Sequence, residues 1–248
     1  MKSLKILLLV FLFNLTTIGQ IITDPESLAI PSCPQCDQVI SHTGYSLGFE
    51  KDYKQARWVA YVLTADETNS RYERTDDFRP DPAADYSIAT KSDYYKSGYD
   101  RGHLAPAGDL GWSATAMSES FYYSNMSPQE PGFNRGIWRK LESQVRGWAI
   151  DDEQIIVVTG GIFNSIKGHI GNGVAIPGEF YKVIFDFSEP EIKSIGFVLP
   201  NEKSSSSLSD FACSVDYVES ITGIDFFVQL PDSLEEQIES KYDISLWP

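Results

Sequence analysis

The stretch DRGHLAPAGD, residues 100–109, crowds three ionisable side chains, Asp100, Arg101 and His103, into four positions around Gly102, then continues in small residues and proline. It holds one of only three histidines among 248 residues. A histidine without context is more often part of the packing than of any chemistry. Here an arginine and a carboxylate flank it, and Gly102 is predicted to let the backbone turn tightly and present all three groups together.

Two further segments follow closely. SNMSPQ (residues 124–129) carries Asn125, and FNRGIWRKLE (133–142) opens a run, NRGIWRKLESQVRGWA (134–149), with Ile137, Leu141 and Val145 at spacing four. That spacing predicts an amphipathic helix over 134–149. On it Asn134, Trp138 and Glu142 fall at i, i+4 and i+8, drifting slowly around one side, with Asn134 in a position where asparagine also serves as a cap. Arg135 and Arg139 form a parallel stripe, and Lys140 and Arg146 add charge to the same helix. Basic and metal-suited polar groups gathered near one histidine mark a local site for an anion.

Outward from this centre the chain reads as strands. RWVAYVLT (57–64), QIIVVTGGIF (154–163), YKVIFDF (181–187) and KSIGFVLP (193–200) are rich in β-branched and aromatic residues and are separated by Gly- and Pro-containing turns. The polar, Pro-containing segment 67–87 is predicted to be a long loop, and long ordered loops are usually functional or tied down. Residues 207–223 are expected to form a helix ended by Gly223, and 233–242 a short one capped by Asp232 or Ser233. Strands and helices do not alternate regularly, which favours α+β over a doubly wound sheet. There is no internal repeat.

The first twenty residues bear Lys2 and Lys5, then an apolar run from Ile6 to Phe13, then a polar end. They are expected to be a signal peptide (1–20), followed by a lead-in (21–42) and a single domain (43–248), in a secreted or periplasmic protein with no membrane partner after cleavage. In an exported chain Cys33 and Cys36 of CPQC are expected to form a short disulfide, leaving Cys213 as a buried thiol in a helix. The formal net charge is −15. Charge alone argues against a nucleic-acid partner, because phosphate binding draws on lysine and arginine displacing counterions. The objection lapses if the basic residues are gathered in one place or a divalent metal supplies positive charge.

The order and spacing of YDRGHLAPAGD (99–109), FYYSNMSPQ (121–129) and FNRGIWRKLE (133–142) resemble those of the sugar-non-specific DNA/RNA endonucleases of the ββα-metal, or His-Me finger, type, the endonuclease G-like family. RWVAYVLT, FRPDP (78–82) and VVTGGIF (157–163) resemble family stretches too, so the likeness extends over about residues 43–230. It implies an α+β fold, a ββα-metal finger packed on a central antiparallel sheet flanked by helices. It also implies a metal-dependent endonuclease that hydrolyses DNA and RNA to 5′-phosphate products with one Mg²⁺, or Mn²⁺ in its place.

By that resemblance His103 is the general base, suited by an imidazole pKa near 6.5, and Asn134 is the direct metal ligand. Glu142 is the carboxylate that orients metal-held water, and Arg101 steadies the phosphate as negative charge builds. Asn125 is a supporting site residue. A further arginine comes from the preceding loop, Arg74 or Arg71, while Arg135 and Arg139 contact substrate. Two other readings stay open: a phosphodiesterase acting on small nucleotides, and an inactive relative that only binds nucleic acid.

Overall fold

The computed structural model describes residues 24–188 and 192–247. The expected signal peptide lies outside the described residues. Among the described residues nine strands run in chain order: β1 (Gln38–Ser41), β2 (Ser46–Glu50), β3 (Gln55–Thr64), β4 (Asp100–His103), β5 (Met126–Gln129), β6 (Gln154–Ile170), β7 (Val174–Asp186), β8 (Lys193–Pro200) and β9 (Ala212–Cys213). The helices are the short turns α1 (Pro25–Leu28) and α2 (Lys91–Tyr94), then α3 (Ala114–Glu119), α4 (Arg139–Asp151), α5 (Val215–Thr222) and α6 (Asp232–Glu239).

Seven strands form one antiparallel sheet in the order β1-β2-β3-β6-β7-β8-β9, and β4 pairs with β5 in a separate two-stranded ribbon. The sheet is buried on both faces, which is why its strands read as near-continuous apolar runs. Along β3, Val59, Tyr61 and Leu63 enter one core beneath Leu141, Val145 and Trp148 of α4. Trp58 and Ala60 point the other way, into a second core closed by Val215 and Val218 of α5 and Ile238 of α6. Side chains alternate across a strand, so one strand feeds both cores, and each large side chain so buried contributes about 1.5–3 kcal/mol. Among the described residues no helix is long and apolar enough to cross a membrane.

The α+β architecture with a central antiparallel sheet agrees with the sequence reading, and several local expectations do not. The sheet begins at Gln38, inside the stretch read as a lead-in. Regular α-helix starts only at Arg139; residues 133–138 form a wide π-type turn broken at Gly136 (φ −107°, ψ −108°). Such wide turns recur where a helix must re-aim a side chain.

The helix expected over 207–223 is divided. A 3-10 turn (Leu208–Phe211) leads into β9, and α5 starts after Ser214, whose Oγ accepts from the Tyr217 amide at 3.2 Å. Pairing of Ala212 and Cys213 with β8 competes successfully with helix there. Cys213 is therefore a half-buried strand thiol, and burial pushes it up to about 12. Gly223 does end α5, in the left-handed region (φ 68°). The last helix is preceded by Pro231 and takes no side-chain cap. Cys33 and Cys36 are disulfide-bonded, as expected.

Candidate active site

The ribbon of β4 and β5 carries the quoted motif as a strand that ends on His103. Gly102 is not a turn residue. A Cβ there would lie 2.1 Å from Oε1 of the buried Gln129, so glycine makes room for the partner strand. The loop after His103 is clamped by Asn125, which is fully buried. Its Oδ1 accepts from the Ala105 amide at 2.9 Å, and its Nδ2 donates to the Ala105 and Ser120 carbonyls, both at 2.9 Å. Asn125 therefore spends its hydrogen-bonding groups on backbone, holding the segment that aims His103.

His103 lies edge-on to Phe121 and Phe78, with ring centroids 5.0 and 5.9 Å away. Its Nε2 is buried without a hydrogen-bond partner, and the residue lines the cleft. Burial first, then the positive charges of Arg74 and Arg101, pull the imidazole down to about 3. It is neutral at physiological pH.

One cleft brings together His103, Asn134, Glu142 and the arginines 74, 101, 135, 139 and 146. The wide turn at 133–138 places Asn134 there, and its Nδ2 donates to Asp100 Oδ2 at 3.0 Å, leaving Oδ1 as an acceptor. Arg135 grips the same carboxylate with Nε and Nη2, at 2.8 and 2.6 Å, though its side chain stays mostly exposed. Burial works against charge on Asp100, but hydrogen bonds from Arg135 and Asn134 outweigh it and hold the carboxyl below its usual range. Arg101 stacks over Phe78, 3.7 Å from the ring centroid. Arg74 lies over Phe121 and pairs with Asp76, whereas Arg71 pairs with Asp66 and does not line the cleft. Of the two loop arginines, Arg74 is the one that lines the cleft. Arg139 is exposed at the rim.

Among the described residues no hydrogen bond reaches the Glu142 carboxylate, which burial above all pushes upward, against the pull of Lys182. An amide oxygen with its nitrogen already committed, beside an unpartnered carboxylate, is a donor set of hard oxygens. It fits a small divalent cation that keeps most of its water, and it is poor in the nitrogen and sulfur ligands that zinc prefers.

Beneath the cleft lies a charged layer that sequence reasoning missed. Asp109, the last residue of the quoted stretch, is 1% exposed and accepts from Tyr61 Oη at 2.8 Å and Arg146 Nη1 at 2.6 Å. Lys182 of β7 is fully buried, its Nζ without a hydrogen-bond partner and 4.8 Å from the centroid of the Trp138 ring. Burial lowers its pKa, opposed by Glu142 and Asp109. The signal was present: Lys182 alternates with Phe180 and Ile184, both in the core on the α4 side, so period two places a lysine at an inward position. The other two histidines lie outside the cleft, with His42 paired to Asp81 at 2.9 Å and His169 exposed.

The sequence matches the model of the DNA/RNA non-specific endonuclease family over residues 25–233. It is 33% identical to the mitochondrial Nuclease 1 of Schizosaccharomyces pombe over 84% of this chain and 71% of that one. Human mitochondrial endonuclease G is 32% identical over 80% and 72% of the two chains, and Nuclease C1 of Cunninghamella echinulata is 34% identical over 77% and 83%. Among solved structures, that of the EndoG/EndoGI complex superposes with a TM-score of 0.76 at 32% identity, covering 88% of this chain and 94% of the other. The mitochondrial relatives overturn the expectation of a secreted or periplasmic protein. A short basic and apolar leader resembles an export address in composition, but composition does not name the compartment that reads it.

Proposed function

The chain belongs to the DNA/RNA non-specific endonuclease family, and on that premise we propose that the cleft around His103 hydrolyses phosphodiester bonds in both DNA and RNA, with a single Mg²⁺ or Mn²⁺ ion, to 5′-phosphate products. The observation that carries this reading is the convergence in one cleft of a neutral imidazole, an uncommitted amide oxygen, a carboxylate without a hydrogen-bond partner and five arginines. On a body of net charge −15, that grouping removes the electrostatic objection to a nucleic-acid substrate.

Nδ1 of His103 takes a proton from water while Nε2 carries the ring proton. The water oxygen bonds to phosphorus as the bond to the 3′ oxygen breaks, and that oxygen leaves as a hydroxyl after taking a proton from solvent. Arg101 and Arg74 face the growing negative charge with planar donor forks. Asn134 Oδ1 would hold the cation, with Glu142 accepting hydrogen bonds from its hydration shell. When bound, the ion supplies positive charge to the phosphate and leaving oxygens. Asn125 acts through the loop it clamps, and Arg135 and Arg139 offer contacts to flanking phosphates.

Plasmid and total RNA incubated with the protein are expected to be degraded with Mg²⁺ and spared by chelator, leaving ends that carry 5′-phosphate. Intact substrates under every divalent ion tried, or 3′-phosphate ends, would defeat the proposal. The two loop arginines separate in the same assay. Arg74→Ala is expected to slow cleavage by about 10²-fold, as for loss of one donor to a developing charge. Arg71→Ala leaves the rate unchanged, and equal losses would show that the cleft geometry does not assign the role.

A further inference from the structure

We propose that a hard divalent cation of calcium's size binds between α5 and α6, held by the carboxylates of Asp216, Glu219 and Glu239. Each offers an oxygen, and the three oxygens lie within 4.8 Å of one another. An ion seated among them lies close to the usual calcium–oxygen distance of about 2.3–2.6 Å from all three. Asp216 and Glu219 share a face of α5 at i and i+3. Glu239 closes α6, which packs beside α5.

Three acidic groups do not make a site; the state of Glu239 does. It is 4% exposed, and its Oε1 is buried with no hydrogen-bond partner. None of the three carboxylates has an ion pair with a lysine, arginine or histidine among the described residues, and Asp225 and Glu235 add further negative charge. A buried carboxylate normally finds a donor or a counter-charge, because leaving it unpaired costs several kcal/mol. Here the surroundings supply more carboxylates.

Glu219 is held in place independently, since its Oε1 accepts from the Phe226 amide at 2.7 Å, which leaves the second oxygen for a ligand. The set contains oxygen only, with neither imidazole nor thiolate, which suits calcium rather than zinc. The cluster lies on the face of the sheet opposite α4, so the ion would staple the two C-terminal helices and take no part in the cleft.

Titrating Ca²⁺ into the full chain carrying Asn134→Ala, which removes the cation ligand of the cleft, isolates this site calorimetrically. We expect one Ca²⁺ per chain and, at about a hundredfold excess over Kd, a rise in Tm of about 5 °C or more. Adding Glu239→Gln or Glu219→Gln should abolish both. These changes remove repulsion, so in chelator the variants should melt no lower than their parent, which shows that they fold. No heat and no shift up to about 10 mM Ca²⁺, above the range of weak calcium modules, overturns the proposal. So does a shift that survives both substitutions, or one that Mg²⁺ produces equally well.

Discussion

Replacing His103 with alanine is expected to lower the rate of cleavage by about 10²–10⁴-fold, the usual contribution of a positioned general base. The fold should survive, because His103 makes no hydrogen bond that its removal would break. The same residue predicts an unusual pH profile. Burial, with Arg74 and Arg101, pulls its pKa from 6.5 to about 3, so the neutral form that accepts a proton persists well below pH 6.5. The acid limb of kcat/KM, which reports the free enzyme, should therefore lie lower than an ordinary imidazole would place it, with activity retained near pH 5. A limb centred on 6.5 would show that the imidazole is not held neutral by the cleft. A variant within threefold of the parent rate would remove His103 from the mechanism altogether.

Asp109→Ala should give the largest loss of stability of any single change around the site. Asp109 is buried between Tyr61 and Arg146 and lies close enough to Lys182 to oppose its loss of charge. Its removal strands the buried Tyr61 hydroxyl, takes from Arg146 its carboxylate partner, and deprives the buried Lys182 of one of its two nearby carboxylates. Breaking a buried pair from one side typically costs about 3–5 kcal/mol. For a chain of this length that corresponds to a fall in Tm of about 6–20 °C. Thermal melts of Asp109→Ala and Asp109→Asn would measure it, the asparagine keeping an acceptor for Tyr61 while losing the charge. A fall of less than 2 °C for alanine would mean that the charged layer contributes nothing to stability. Cleavage should fall as well, because Arg146 reaches the cleft from its anchor on Asp109.

The structure altered the local reading most where long-range contacts compete with local preference. The spacing of Ile137, Leu141 and Val145 gave the helix its buried face correctly. It carried no warning of the break at Gly136, which depends on where Asn134 must meet Asp100 on another element. Cys213 falls within the 207–223 stretch expected to be a helix ended by Gly223, yet hydrogen bonding to β8 decides its state. Asn125 reads as a supporting site residue, and the structure shows the contacts by which it holds the loop after His103. Its amide is satisfied by carbonyls and an amide that are near only once the chain has folded.

By itself the sequence determined β3, β6, β7 and β8 of the sheet, the apolar face of the helix and the presence of His103, Asn134 and Glu142 in closely spaced motifs. Periodicity and residue chemistry are local properties written into short windows. Only the tertiary structure decided that Arg74 and not Arg71 enters the cleft, that Lys182 and Asp109 lie buried beneath it, and that Glu239 meets Asp216 and Glu219 on the far side of the sheet. Each of these depends on the distance between residues far apart in the chain and on the water excluded from between them, and no window of sequence contains either quantity.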